Sequence, residues 1–254
     1  MNKFKRYRLM VWELAFSDFR MRDQGTALGF LWTLLYPLIF FFILYTIFAD
    51  WMKAIKDFPL YLLIGMVQWG FFAGATTATI TAIIRYSNFI KSISFPKECI
   101  VFASVLAVMF SHFFELIILI IFLFIIKGYV TVYVFFLIPL LLLTLYLIAG
   151  FSLLLSLIGV YFADMTRIWS LLTTMGFFVT PIFYSVDMLS PTKQYLIYLN
   201  PMTHIIQATR ELLLDCKIPQ LDGLLYVFIM ATVLIVVGYI LFKKFEGYFV
   251  EKIQ

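Results

Sequence analysis

The chain has 254 residues, of which 64% are hydrophobic and only 13% charged, and its net charge is +5. Soluble domains carry about twice this share of charged residues, so a mean hydropathy of +1.02 excludes an ordinary soluble fold. Nucleic-acid binding is not indicated, because it needs basic residues clustered on a folded surface. The composition therefore predicts an all-α polytopic membrane protein, forming a single transmembrane domain over residues 1–254.

Residues 4–22 predict a helix that lies on the membrane surface. Trp12, Phe16 and Phe19 fall together at helical spacing, and the basic residues that precede them suit anionic lipid headgroups. Asp18 interrupts this apolar surface, so the amphipathic pattern is imperfect.

Six apolar runs follow, each long enough for the roughly 20 helical residues that a bilayer crossing needs. They cover residues 29–49, 59–84, 98–126, 131–160, 168–186 and 221–242. In the second run Gly70, Gly74 and Ala78 recur at every fourth position, which predicts close helix packing there. Since the chain has no detectable internal repeat, a wide route is more easily built between two copies, and we expect a homodimer.

The basic residues predict the orientation. With the N-terminus in the cytoplasm, thirteen of the 19 Lys and Arg residues lie on the cytoplasmic side and six lie outside. The positive-inside rule then predicts that both termini are cytoplasmic. In this topology the segment 187–215 is external and the loop 85–97 is internal.

The stretch from Phe177 to Asp215 begins as a membrane helix and is then interrupted at Thr180-Pro181. Ser190-Pro191 and Asn200-Pro201 both have the pattern of an N-cap followed by the first helical residue. The two helices predicted from these prolines have about nine and thirteen residues, too few to cross a bilayer. Non-helical backbone at membrane depth is tolerated only against protein or a water-filled cavity.

Residues 187–215 are therefore expected to form two short re-entrant helices that close the outer end of a translocation route. A loop lying idle on the headgroups is the alternative. The predicted gate residues are Pro191, Tyr195, Asn200, Pro201 and Arg210.

Catalytic motifs are missing from the sequence. The dipeptide Gly-Lys of the nucleotide-binding signature does not occur, nor does a nucleophile elbow or HExxH. With two cysteines and two histidines, neither a disulfide framework nor a metal site is expected. If transport uses ATP, we expect another polypeptide to bind the ATP and Mg.

Glu115 is the carboxyl group expected within a membrane run, and His112 lies three residues earlier on the same helix face. Ionisable residues at such depth are functional candidates. One interpretation is a proton relay in a proton-coupled carrier; the other is a hydrogen-bonded pair that fixes helix packing.

Two aromatic groups fall where a route through the membrane is expected. One repeats at i, i+4 and i+8 along the first run, and the other lies in the fifth run just before the interruption. An apolar constriction can exclude water when empty, and the same rings can stack on sugars. The predicted lining residues are Trp32, Tyr36, Phe40, Phe177, Phe178, Phe183 and Tyr184. For any one of them, packing in the core or against lipid is the alternative.

The predicted inner loop 85–97 is short and amphipathic. Its apolar side chains would dock in a groove on a cytoplasmic partner, because exposed apolar residues in a short connector need a surface to cover them. The residues predicted to couple to such a partner are Phe89, Ile90, Lys91, Ile93 and Phe95. A plain connector is the alternative.

Three stretches together resemble the membrane subunit of bacterial ABC exporters for cell-surface polysaccharide, of the O-antigen and teichoic-acid type. The stretches are Asp18-Phe-Arg-Met-Arg22 with Leu28-Gly-Phe-Leu-Trp32 and Pro37; Phe89-Ile-Lys-Ser-Ile-Ser-Phe-Pro-Lys-Glu98; and Thr180-Pro-Ile-Phe-Tyr184 with Leu199-Asn-Pro-Met202 and Arg210. The chain departs from the pattern at Asp23, where an aromatic residue is expected, and at Ala163, where a basic residue is expected.

The resemblance implies a homodimer in the bacterial cytoplasmic (inner) membrane, paired with two ATP-binding subunits. It implies that residues 4–22 form an interface helix and that the inner loop is a coupling helix. The implied substrate is a lipid-linked polysaccharide, whose pyrophosphate would meet Arg20, Arg22 and Arg85, since arginine pairs well with phosphate oxygens. The alternatives are a type-2 ABC exporter of drugs, haem or lipid, and the proton-coupled carrier.

Overall fold

The structure is a computed structural model that describes residues 3–22, 29, 31–92 and 95–249, leaving aside the side chains at positions 3, 4, 6, 22 and 92. Its helices are α1 (Lys3–Arg22), α2 (Leu31–Phe48), α3 (Phe58–Ile80), α4 (Ala82–Arg85), α5 (Ser87–Ser92), α6 (Glu98–Lys127), α7 (Leu137–Tyr161), α8 (Met165–Val179), α9 (Pro191–Tyr198), α10 (Pro201–Leu213) and α11 (Leu221–Phe245). Short 3-10 turns cover Val132–Phe136, Val186–Met188 and Glu246–Tyr248. These ranges contain no β-strand, and the predicted all-α class is confirmed.

Five segments in the described ranges are long and apolar enough to cross a membrane: α2, α3, α6, α7 with its preceding 3-10 turn, and α11. The fifth predicted run behaves differently. Its helix, α8, has only 15 residues, and Thr180, directly after its end, has an extended backbone; the chain then bends through residues 180–184. A sixth crossing by an unbroken helix is therefore not what the sequence forms.

Helix α3 is the centre of the bundle. The apolar window of α3 is 78% buried inside the protein, against 28% or less for the other four candidate spans. It packs against α2, α6, α7, α8 and α10. A helix that is hydrophobic on all sides belongs in such a position, whereas the less buried spans present wide apolar faces outward, as lipid-facing helices do.

Small residues bring two helices close together, but not where the sequence predicted. At Gly150 an added Cβ would lie 2.8 Å from Leu234 Cβ, so α7 and α11 approach closely there. By contrast, Gly70 has no atom within 4 Å of such a Cβ, and Gly74 has only a Val108 methyl at 3.7 Å. The prediction of close packing along this stripe of α3 is wrong within the subunit.

Helix α1 packs along α6, where Trp12 and Phe19 both contact the edge of Phe110, at 5.3 and 5.7 Å between ring centroids. Asp18, which interrupts the apolar pattern of α1, is buried in this contact. Its carboxylate accepts hydrogen bonds from Arg85 and from the Tyr86 hydroxyl. The interruption is therefore a specific polar link between α1 and the segment after α3.

The connecting segments gather at two ends of the bundle. We call the end that contains residues 187–215 the collar end; there Lys127 Nζ lies 3.2 Å from Asp57 and donates a hydrogen bond to the Leu214 carbonyl. We call the opposite end, which contains residues 85–92 and 95–97, the loop end. There Lys243 pairs with Glu98 at 2.9 Å. These ion pairs join helix termini that are far apart in sequence.

Candidate functional site

A cavity of about 650 Å³ opens between α2, α3, α6 and α8. Its described lining residues are Trp32, Thr33, Tyr36, Pro37, Phe40, Met66, Val67, Trp69, Gly70, Ala73, Glu115, Thr173, Thr174, Phe177 and Phe178. Six of these are aromatic. The wall from α2 follows the i, i+4, i+8 stripe, because residues at this spacing share one helix face.

Five of the seven predicted lining residues meet at this cavity, and two do not. Trp32, Tyr36, Phe40, Phe177 and Phe178 lie in its wall, and Phe40 and Phe177 are in contact across it, with ring centroids 5.6 Å apart. Tyr36 is 73% exposed. A tyrosine so open in a membrane protein faces lipid, water or another chain.

Phe183 and Tyr184 lie beyond the cavity, toward the collar end. Phe183 stacks on Phe48 at 5.0 Å and continues the aromatic chain from Phe177 and Phe178. Tyr184 is held by its backbone and its hydroxyl, which donates to the Val179 carbonyl at 2.5 Å. These two residues therefore connect the cavity to the segment that follows it.

Several wall residues were missed in the sequence, although their spacing was visible. Met66 and Ala73 lie with Gly70 on one face of α3, and Thr173 lies one turn before the predicted Phe177 on α8. A search limited to aromatic residues overlooks such faces. Glu115 was noticed for its charge, yet nothing in the sequence places it in the same wall as Trp32 of α2.

Glu115 and His112 form a pair beside the cavity. Glu115 Oε2 lies 3.2 Å from His112 Nδ1, and the histidine is 1% exposed on its side chain. The imidazole stacks flat on Phe71, with centroids 4.0 Å apart and planes 4° apart. This stacking leaves the imidazole little freedom, so it holds the carboxyl group in a fixed place.

The non-helical segment after α8 is fixed by a buried arginine. Arg210, on α10, is 3% exposed. Its guanidinium donates to the carbonyls of Pro181, Tyr61 and Ile182 at 2.8, 3.1 and 2.9 Å, and its Cζ lies 3.3 Å from the centroid of the Tyr61 ring. Arg210 was predicted as a gate residue; the structure places it in the interior, where it bonds two carbonyls of the non-helical segment after α8, at Pro181 and Ile182, and one carbonyl of α3, at Tyr61.

The two predicted short helices begin at the predicted prolines. Asn200 caps α10 by accepting from Met202 N at 3.0 Å, and its amide donates to Thr180 Oγ1 at 2.8 Å. Ser190 precedes α9 but makes no side-chain cap. The predicted N-cap at Ser190 is therefore wrong. Its carbonyl instead accepts the Gln194 N–H at 3.0 Å.

Helices α9 and α10 differ in burial. Pro191 and Tyr195 of α9 are exposed, with Tyr195 at 70%, whereas Pro201 opens α10 as a buried residue. One predicted gate helix is therefore a surface element, and the other is part of the core.

At the loop end, Arg85 is already paired. Its Nη2 lies 3.0 Å from Asp18 Oδ2 and 3.1 Å from Ser104 Oγ, and 48% of its side chain is exposed. Arg20 lies on α1 with its guanidinium 4.3 Å from the centroid of Phe16. The side chain of Arg22, the third residue predicted to bind phosphate, lies outside the described part of the chain.

Within the predicted coupling loop 85–97, Arg85 ends α4, residues 87–92 form α5, and residues 95–97 lead into α6. Ile90 is buried in the chain's own core with Ile83, Ile100 and Phe242, so it offers no surface to a partner in this arrangement. Phe89 is partly exposed and packs edge-on against Phe95 at 5.1 Å. Lys91 is exposed, and Ile93 lies outside the described residues.

A family model described as "ABC-2 type transporter" matches residues 11–214. The chain belongs to this family. Among curated proteins it is similar to two O-antigen export system permease proteins RfbA from Klebsiella pneumoniae, each 27% identical over 237 residues, 92% of this chain and 91% of the relative. A third relative of the same name, from Myxococcus xanthus, is 23% identical over 250 residues, 97% of this chain and 96% of the relative.

As an ABC-2 family member, the chain is a transporter permease and a multi-pass membrane protein. The resemblance seen in the sequence is confirmed at the level of the family and of relatives named for O-antigen export. Membership in the family also implies a partner subunit that binds ATP.

Proposed function

We propose that this ABC-2 permease is the membrane subunit of an ATP-driven exporter that moves lipid-linked polysaccharide across the bacterial cytoplasmic membrane. Two copies of the chain would form the route, together with two copies of the ATP-binding subunit, which carries ATP and Mg. The observation that carries the proposal is the aromatic cavity that continues through Phe183 to the fixed end of a broken helix. The names of the relatives support the same substrate class.

The path of α8 supports six crossings. Trp169 Nε1 donates to Thr76 at 2.9 Å, near the loop end of α3, and the Tyr184 carbonyl accepts from Tyr61 at 3.0 Å, near the collar end. At about 1.5 Å per residue, the fifteen positions from Tyr61 to Thr76 span roughly 22 Å. The fifth run therefore crosses most of the hydrocarbon thickness as a helix followed by a non-helical segment shielded by protein.

With six crossings, both termini would lie on the same side, and the excess of basic residues at the loop end supports a cytoplasmic location for that side. The collar end is then external. Helices α9 and α10 form the external gate, with α10 as its fixed part and the exposed α9 as the part that is free to move. Arg210 acts in this gate as a positioning residue.

The cavity suits sugar rings because flat aromatic faces offer apolar contact without fixed hydrogen-bond directions. A polymer moves past such a surface more easily than past a set of directional donors. At the loop end, the half-exposed Arg85 and the partly exposed Arg20 are available to the lipid pyrophosphate, and Asp18 is the group that the phosphate displaces from Arg85.

The lining is tested by comparing Tyr36→Ala and Phe177→Ala with Tyr129→Ala, an exposed tyrosine outside the cavity. All three variants would be produced with the ATP-binding subunit in cells that make the glycan. Surface glycan, normalised to folded permease in the membrane, should fall severalfold for the first two and stay unchanged for the third. Normal glycan export by both cavity variants would show that these aromatic residues do not line the route, whereas no glycan export by the unsubstituted permease would favour a drug, haem or lipid exporter of the same family.

The coupling loop is tested by two neighbouring substitutions. Phe89→Asp changes a partly exposed residue, so the permease should fold but fail to co-purify with the ATP-binding subunit. Ile90→Asp places a charge in the chain's own core, so it should reduce the amount of folded permease itself. If Phe89→Asp leaves assembly and ATP hydrolysis unchanged, the loop is a plain connector.

A proton-coupled carrier working through Glu115 predicts a different result. In that mechanism Glu115→Gln abolishes transport, because the amide cannot carry the proton. In an ATP-driven exporter the same variant keeps ATP-dependent export of a neutral glycan. Membership in the ABC-2 family supports the second outcome.

A further inference from the structure

One acidic side chain is set into the described part of the cavity wall. Of the fifteen described residues that line the cavity, Glu115 is the only acidic one, and none is a lysine or an arginine. The rest of the wall consists of aromatic and aliphatic side chains and three threonines. A ligand in this cavity therefore meets an aromatic surface with a single carboxylate set into it.

The carboxylate is held rather than free to swing. His112 Nδ1 contacts one oxygen of Glu115 at 3.2 Å, and the imidazole is itself clamped against Phe71. The pair lies on the inner side of the wall, because His112 is 1% exposed whereas the side chain of Glu115 is 16% exposed. His112 therefore positions the carboxylate of Glu115, and this carboxylate is the group that a ligand in the cavity can contact.

We propose that Glu115 is a specificity-determining residue, and that it makes the cavity favour glycans without anionic groups, with amino sugars bound best. The proposal rests on the transport function proposed above. A sugar ammonium would gain an ion pair with Glu115 and cation–π attraction from the surrounding rings, as cations do in aromatic cages. A neutral sugar hydroxyl would donate a hydrogen bond to the same carboxylate.

Phosphate, sulfate and uronate groups on the repeating sugars of the polymer would be disfavoured for the same reason. They would lose water on entering an aromatic site, meet no cationic partner there, and be repelled by Glu115 at short range. The proposal thus separates the two glycan classes that the family resemblance left open: neutral and amino-substituted polymers on one side, phosphate-linked polymers of the teichoic-acid type on the other.

Binding is measured on the full-length permease in lipid nanodiscs, with Trp12→Phe and Trp51→Phe introduced so that fluorescence comes mainly from the tryptophans in and near the cavity. The probes are glucosamine tetramer, its fully N-acetylated form and a galacturonate tetramer. The expected order of affinity is amino sugar, then N-acetyl sugar, then uronate, with about tenfold between the first and the last at low salt. Added salt should narrow that range.

Glu115→Gln keeps the shape of the side chain and an oxygen that can accept from His112, but it removes the charge. The variant should bring the three affinities within about twofold of one another, mainly by weakening the amino sugar and strengthening the uronate. Asp50→Asn, on an exposed carboxylate outside the cavity, is the matched control and should keep the wild-type order. If Glu115→Gln does not fold, the order of the three probes on the permease with native Glu115, and its salt dependence, still decide the question.

Two failures are distinguishable. Equal binding of all three probes, lost on Tyr36→Ala, would overturn the role of Glu115 and leave the aromatic glycan site intact. No binding of any probe, together with normal glycan export by Tyr36→Ala, would overturn both the specificity and the lining. A uronate bound more tightly than the amino sugar would overturn the specificity alone.

Discussion

Two arginines, one at each end of the bundle, are held in opposite ways. Arg210 at the collar end is buried and bonds three backbone carbonyls and an aromatic face. Arg85 at the loop end keeps 48% of its side chain exposed and pairs with a carboxylate, Asp18. One arginine completes the backbone of a broken helix, whereas the other makes an ion pair beside water.

The difference decides which contact can change during transport. The partners of Arg210 are neutral dipoles in the protein interior, so releasing it would remove a hydrogen bond from three carbonyls at once, two of which, at Pro181 and Ile182, lie outside any helix. Burial lowers the pKa of its guanidinium to about 10, so Arg210 stays charged near neutral pH. Arg85 is half-exposed, so water or an anion can replace Asp18 as its partner, and the buried Asp18 then keeps the hydrogen bond from the Tyr86 hydroxyl. Arg210 is therefore a fixed support, and the contact between Arg85 and Asp18 is an adjustable one.

The largest effect is expected from Arg210→Leu. The variant should lower the free energy of unfolding by more than about 3 kcal/mol, because each carbonyl left unpaired costs roughly 1–3 kcal/mol. Thermal unfolding of the purified permease measures this loss. The control is Arg167→Leu, at an arginine 89% exposed, which should change the stability by less than about 0.5 kcal/mol. Equal effects of the two variants would contradict the view of Arg210 as a fixed support.

Asp18→Asn should have a smaller effect that depends on salt. It removes the charge that faces Arg85 but leaves an oxygen for the Tyr86 hydroxyl, so we expect a loss of about 1 kcal/mol, discounted for the exposure of Arg85. The loss in the free energy of unfolding caused by Asp18→Asn should shrink at high salt. The loss caused by Arg210→Leu should not change with salt. A salt-independent deficit for Asp18→Asn would mean that the pair at the loop end is not an exchangeable one.

The smallest effect is expected at high pH. Burial, together with the hydrogen bond to Asp18, raises the pKa of the Tyr86 hydroxyl in the folded protein. In the unfolded chain a tyrosine ionises near pH 10. Tyr86 therefore contributes stability below pH 10, and that contribution is lost as the pH rises further.

Tyr86→Phe tests this titration directly. The variant should be less stable than wild type by about 1 kcal/mol at neutral pH, the worth of one hydrogen bond. The difference in the free energy of unfolding between wild type and variant should narrow above pH 10, because only the wild type has this hydroxyl and loses stability when it ionises. Chemical unfolding at several pH values measures this difference, and a difference that stays constant to high pH would contradict a raised pKa at Tyr86.

Sequence patterns predict those features that depend on neighbours along the chain. The apolar runs predict the five long spans, the prolines predict the first residues of α9 and α10, and the spacing of Trp32, Tyr36 and Phe40 predicts a shared face. Each of these depends on helix periodicity or on local capping.

Features that depend on distant neighbours are not visible in the sequence. The sequence predicts Arg210 to be an external charge, because the carbonyls that it bonds belong to the backbone and any residue type can supply them. One of these carbonyls, at Tyr61, is 149 positions away. The sequence predicts Ile90 to be a docking residue, because the core residues that cover it come from other helices and are not near it in the sequence. Gly70 reads as a packing site, although its missing side chain opens the cavity wall instead.

The link from Arg210 to Ile182 also sets an order for biogenesis. Helix α8 is short for a bilayer crossing, and the non-helical residues after it cannot satisfy their own carbonyls in lipid. Tyr61 and the rest of α3 are synthesised earlier, but Arg210 leaves the ribosome 28 residues after Ile182. If the fifth run crosses the membrane as proposed, we expect it to settle fully beside α3 only after α10 has been synthesised and Arg210 can bond its carbonyls.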